Sequence, residues 1–210
     1  MKPLLIELHT FPSIAYFHAM VHHNLLILEA SENYNKRSYR NKFDLLSDKG
    51  VQTFSIPLKK GKHEQQPILE TKISYDENWP DLLKRTLTTY YSGSPFFDHY
   101  SSALFNLLDA HIEDLYEFNF LALMELMQMV SINISIASNI DFHRASTHVN
   151  DLRYTLLPKS RIEHKSYPQV FEDKTGFICN LSILDLLFAL GPETKEFLMS
   201  THLYCKNISA

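Results

Sequence analysis

Apolar and polar positions along the chain change period several times, and each period names an element. Leu4 to Leu8 is a short apolar run broken only by Glu7, the length of a buried strand. Phe11-Pro12-Ser13 reads as a turn, Ile14 to His22 as a short helix with Ser13 as its cap, and Leu25 to Glu29 as a second strand. The roughly 15 residues between the two strands suffice for a crossover helix and a parallel pair. Val51 to Pro57 alternates as a strand does, and Pro57, lacking an amide, ends it. Ile68 to Tyr75 alternates again, with Leu69, Thr71, Ile73 and Tyr75 on one side and Glu70, Lys72 and Ser74 on the other, which predicts a half-exposed strand. Helical spacing then takes over, in Asp81–Tyr91, Tyr100–His111 and the densely apolar Leu115–Met129. Ile132, Ile134 and Ile136 alternate as a further strand. From 137 to 166 no period holds, which predicts a long loop. Near the end, Ser182 and Asp185 have capping-box spacing and Gly191-Pro192 forms a stop, so Ser182 to Leu190 is predicted as a short, well-bounded helix.

This succession predicts an α/β fold: a single domain over 1–210, with a central mixed or mainly parallel sheet flanked by helices and a helical middle section. Composition agrees. Hydrophobic residues make up 45% of the 210 residues and charged residues 21%, and only five glycines leave little room for linkers. Fourteen phenylalanines and eleven tyrosines predict an aromatic core. The net charge of −4 argues against a general nucleic-acid binder without excluding a local phosphate site. The first apolar run meets Glu7 and His9 too early for a signal peptide, and stretches such as Leu25 to Leu28 are far shorter than a membrane span. Two cysteines, Cys179 and Cys205, form no CxxC pair or disulfide framework. A reduced, cytoplasmic protein without membrane insertion is expected.

The densest candidate chemistry lies between residues 33 and 42. Lys36, Arg37, Arg40 and Lys42 stand close together, with Asn33 and Asn41 beside them. A guanidinium fork suits phosphate or carboxylate oxygens and an amide suits hydroxyls, so an anionic small molecule such as a nucleotide sugar is the expected partner. The competing reading is a solvated charged connection between strands. Lys59, Lys60 and Lys62 form a second basic turn after a strand end, again either a ligand loop or surface charge. His9 follows the first strand, where an α/β crevice opens. It is either a general base or a histidine hydrogen-bonded in place. His18 and His22 are spaced i, i+4, but no HExxH pattern or third ligand accompanies them, so no metal is expected. No phosphate loop, dinucleotide fingerprint or nucleophile elbow is present, and no cofactor is expected. Ser182 and Asp185 are explained by capping, and Cys179 reads as inert core.

The blocks Tyr167-Pro168-Gln169-Val170-Phe171, Gly176-Phe177 and Asn180 to Phe188, closing on Gly191-Pro192, resemble the WbqC-like family. So do Phe11 to Phe17, Glu32 to Lys42, Ser55 to Leu58 and Pro95-Phe96-Phe97, in the same order. The chain departs from the family where it has Glu7-Leu8-His9-Thr10 in place of Gln-Pro-Asn-Tyr, and where Ala30-Ser31 replaces an acidic pair. It departs again where Leu83-Lys84 stands in place of His-Trp. The resemblance implies a role in bacterial surface-polysaccharide and O-antigen biosynthesis. That role is a transferase moving an acyl or aminoacyl group onto an amino sugar, or else a non-catalytic interaction or carrier protein of the same pathway.

Overall fold

The computed structural model describes residues 2–59, 66–139, 148–158 and 162–205. Its fold is α/β, built on a four-stranded parallel sheet. Strand β1 (Leu4–Glu7) leads through helix α1 (Ile14–Val21) to β2 (Leu25–Glu29), which pairs parallel to it from Leu4↔Leu26 to Glu7↔Glu29. A long excursion then intervenes. It holds the hairpin of β3 (Lys42–Ser47) and β4 (Gly50–Ser55), then helices α2 (Trp79–Tyr91), α3 (Phe97–Asp109) and α4 (Leu115–Met129). β5 (Ser135–Asn139) returns to the sheet beside β2, and β6 (Asn150–Asp151) joins the opposite side of β1. Beyond it lie β7 (Ile162–Glu163), α5 (Glu172–Thr175), α6 (Ile183–Leu190), α7 (Thr194–Ser200) and β8 (Tyr204–Cys205), with β7 and β8 pairing apart from the sheet.

The sheet order β5-β2-β1-β6 places a switch of direction at β1. The chain leaves β1 toward β2 and β5, and returns on its other side as β6. Loops beyond the carboxyl ends of strands on either side of such a point must diverge, and a crevice opens between them.

The core runs on both sides of the sheet and is aromatic as expected. Phe11, Tyr16, Phe17, Phe43, Tyr91, Phe118 and Phe188 are almost fully buried. Phe11 meets Phe43 and Phe118 edge-on, at 5.0 and 6.0 Å between ring centroids, and Phe118 meets Trp79 at 5.8 Å. Such edge-to-face pairs match the ring quadrupoles and fix the angle between the excursion and the sheet. No helix among the described residues is long and apolar enough to cross a membrane.

Several local expectations are corrected. Ile68–Glu70 is a 3-10 turn, and the stretch after it makes only isolated bridges, Leu58↔Ile73 and Lys72↔Asp114. The alternation there reflects burial of Thr71 and Ile73 under α4 without a ladder, while Leu69 faces solvent. β3 begins where the basic segment ends, in a stretch for which no element is predicted. Its signal was Phe43 with Leu45-Leu46, all buried, closed by Gly50 at φ +96°, where a side chain would be strained. Ser13 stands at the start of α1 without a side-chain cap bond. The Asn180 side-chain Oδ1 accepts from the Ala15 N–H instead, at 2.9 Å. The capping box at α6 is half formed: the Ser182 hydroxyl accepts from the Leu184 N–H, whereas Asp185 turns inward. Its Oδ2 accepts from the Tyr167 hydroxyl at 2.6 Å and from Gln169 Nε2 at 3.1 Å. Gly191 does close α6, at φ +52°, with a Cβ position only 2.5 Å from the Phe96 ring, but the chain continues through Pro192 into α7.

Candidate functional site

Three parallel strands end in carboxylates: Glu7 on β1, Glu29 on β2 and Asp151 on β6. Glu7 and Glu29 are wholly buried, so each requires partners to stay ionised. Arg153 serves two of the three. Its Nη1 donates to Glu29 Oε2 at 2.6 Å and its Nη2 to Asp151 Oδ2 at 2.7 Å, and the Asp151 carboxyl is held below its usual range by that guanidinium. Arg40, fully buried, serves Glu7 and Glu32. Nε donates to Glu32 Oε1 at 2.7 Å, Nη2 donates to Glu32 Oε2, and Nη2 also stands 3.7 Å from Glu7 Oε1. A buried two-carboxylate, one-guanidinium cluster holds only if geometry is good, because desolvation of each ion costs several kcal/mol, roughly what the pairing returns.

The backbone around this cluster is fixed from α4. Asn119 Nδ2 donates to the Arg40 carbonyl at 2.7 Å, and the Thr10 hydroxyl donates to Asn119 Oδ1 at 2.6 Å. The Thr10 N–H donates to the Tyr39 carbonyl at 2.9 Å. These bonds pin the end of the basic segment to the residues following β1. From the other side, the Asn180–Ser182 block pins the same region. Ile14 N–H donates to the Leu181 carbonyl, Ile183 N–H to the Pro12 carbonyl, and the Ser182 hydroxyl to the Phe11 carbonyl.

His9 lies inside this frame with no solvent exposure, its ring 5.1 Å from Tyr16 and 5.7 Å from Tyr39 between centroids. Its Nε2 is 3.3 Å from Glu7 Oε1, and its Nδ1 is buried with no hydrogen-bond partner among the described residues. Burial lowers the His9 pKa and outweighs the pull of Glu7, so the ring is neutral near pH 7. For Glu7, burial pushes upward, but the hydrogen bond to His9 and the nearby charges prevail and hold its carboxyl below the ordinary value. Burial raises Glu32 despite its pairing with Arg40.

Against this frame opens a cleft of about 760 Å³ whose lining includes Glu32, Asn33, Asn35, Lys36, Arg37 and Tyr154. Asn33, Lys36 and Arg37 face solvent there. Glu32 and Tyr154 form the boundary with the buried cluster. The Tyr154 N–H donates to both Glu7 oxygens, at 3.2 and 3.1 Å, and its ring lies over the Arg40 guanidinium at 5.3 Å. Burial raises the Tyr154 phenol to about 12.

The structure thus brings His9 and Arg40 to one carboxylate and puts Asn33, Lys36 and Arg37 on one cleft. Arg40 is engaged with Glu32 and Glu7, and among the described residues its Nη1 has no partner. Asn41 accepts from the Tyr34 hydroxyl at 2.8 Å and donates to the Ile56 carbonyl at 2.8 Å, which makes it a strut of the hairpin. Lys59 pairs with Glu113 at 3.0 Å on the surface, away from the cleft lining. Lys60 lies outside the described residues, as does Lys62. His18 and His22 touch ring to ring at 4.6 Å, and His18 Nε2 is 3.1 Å from the Thr201 carbonyl. No group of three metal-binding side chains exists among the described residues.

Sequence reasoning missed Glu7, Glu29, Glu32 and Tyr154 as site residues. Glu7 and Glu29 had a signal: a charge closing an apolar strand in an α/β pattern is costly unless it is used. Tyr154 had none, since it lies in an aperiodic segment.

The model of the WbqC-like protein family matches residues 9–163. That span includes His9, the basic segment and Tyr154, and ends before the Tyr167–Pro192 blocks. Among curated proteins, the uncharacterized protein Rv1507c of Mycobacterium tuberculosis (strain ATCC 25618 / H37Rv) is 23% identical over 233 residues, covering 98% of this chain and 99% of that protein. No solved structure matches.

Proposed function

This chain belongs to the WbqC-like protein family, and from that premise we propose that it is a transferase-type enzyme acting on a sugar or nucleotide-sugar intermediate of bacterial surface-polysaccharide (O-antigen) assembly. The observation that carries the reading is a basic cleft beyond the carboxyl ends of parallel strands at a switch point, with the buried Glu7–His9 pair behind its Glu32 and Tyr154 wall. Lys36 and Arg37 supply cationic donors for a phosphate or carboxylate, Asn33 and Asn35 supply amides for sugar hydroxyls, and the cleft volume is that of a small-molecule site. His9 is the base that takes a proton from the acceptor group. The group transferred is an acyl or aminoacyl group and the acceptor an amino sugar.

A carrier or interaction protein of the same pathway would be served by an exposed aromatic patch. Tyr154, beside the cleft, is the one aromatic among the exposed large hydrophobic residues described. This favours the enzyme. A thermal-shift panel of nucleotide sugars, acyl donors and inorganic phosphate tests it. Stabilisation by a nucleotide sugar beyond that by phosphate is the expected result, and no shift with any of them at saturation overturns the proposal.

A further inference from the structure

Resting on the assignment of His9 as the base, we infer that Glu7 is its positioning residue, holding the imidazole as the Nε2–H tautomer with the lone pair on Nδ1. An ionised carboxylate has acceptors only. The ring nitrogen facing Glu7 Oε1 at 3.3 Å must therefore carry the proton. In a neutral ring the other nitrogen is then unprotonated, and Nδ1 is the atom that is buried without a partner among the described residues. A carboxylate that orients a histidine and later stabilises its cation is a recurring arrangement in enzymes that use imidazole as a base.

Glu7 is itself held from three sides. The strand pairing Glu7↔Glu29 fixes its backbone. The Tyr154 N–H bonds both carboxylate oxygens, and Arg40 Nη2 stands beside Oε1. Tyr154 takes φ +60°, a left-handed conformation that tyrosine disfavours, so the frame holds that amide on the carboxylate against a local preference. The charged and titratable groups around the ring are Glu7, Arg40, Tyr16, Tyr39 and, across Arg40, Glu32. The hydrogen bond to His9 and, after it, the charge of Arg40 hold the Glu7 carboxyl below its ordinary value, so Arg40 acts through Glu7 and needs no contact with substrate.

Imidazole nitrogen NMR of the full chain, with the His9 signals assigned by difference from His9→Gln, tests this without turnover. The expected spectrum at neutral pH has a pyrrole-like Nε2 and a pyridine-like Nδ1 for His9. In Glu7→Gln, whose amide both donates and accepts, the two tautomers mix while the other histidine signals stay in place. A proton on Nδ1 in the wild type, or tautomer populations unchanged in Glu7→Gln, overturns the assignment. Should Glu7→Gln not fold, the wild-type spectrum alone decides. A protein that shows the Nε2–H tautomer yet binds no nucleotide sugar refutes the transferase reading and leaves this one standing. With a substrate in hand, Glu7→Gln is expected to lower kcat by about a hundredfold with KM little changed.

Discussion

Two arginines three positions apart have opposite fates. Arg40 is enclosed between Glu32 and Glu7, while Arg37 projects into the cleft. Replacing Arg40 by Ala strands two buried carboxylates, and the expected loss in denaturant unfolding is about 3–5 kcal/mol. Arg37→Ala removes an exposed side chain and should leave the unfolding midpoint where it was while weakening anion binding. Midpoints that move alike in the two variants would contradict this division. Both residues were legible as a basic cluster, but their division was not, because it depends on Glu7 and Glu32. Those carboxylates reach Arg40 from the carboxyl end of the interior strand β1 and from a loop, which no local pattern relates.

At the scale of elements, α1 and α6 are joined through their N-termini. Asn180 caps α1 from outside the helix, and Ser182 spans to the Phe11 carbonyl. Asn180→Ala is expected to cost about 1 kcal/mol, the usual worth of a helix cap, measured as a shift in denaturant midpoint. No change would mean that the amide is replaceable by water. The C-terminal block was read as a self-contained capped helix. Its boundaries were legible because Ser, Gly and Pro act locally. Its Asp185 was not, because its partners Tyr167 and Gln169 come from a segment without periodic signal. The same contrast divides the rest of the fold. Leu115–Met129 is the helix its pattern predicts, whereas 68–75 begins as a 3-10 turn and then makes only isolated bridges, Leu58↔Ile73 and Lys72↔Asp114, in place of a ladder.

For the whole molecule, the polar layer at the carboxyl end of the sheet links stability to pH. Burial holds His9 below its ordinary value of 6.5. Between that value and the lower folded one, the unfolded chain binds more protons, so the contribution of a neutral His9 is complete above pH 6.5 and is lost as the pH falls through the folded pKa. Thermal melts should therefore show wild type losing stability relative to His9→Gln as the pH drops below 6.5. A pH-independent difference would mean that His9 titrates as it does in the unfolded chain. The sheet topology fixes where the site lies, since a switch at β1 places the divergent loops over Glu7, and the basic segment is drawn there by Asn119 and Thr10. The central claim is that this cleft binds an anionic sugar substrate, and the most direct measurement is calorimetric titration of a nucleotide sugar into wild type and into the Lys36→Ala/Arg37→Ala double variant. Saturable binding to wild type is expected, weakened about tenfold or more in the variant at an unchanged melting temperature; equal affinity in both proteins, or no binding to wild type, would rule out this cleft as the site.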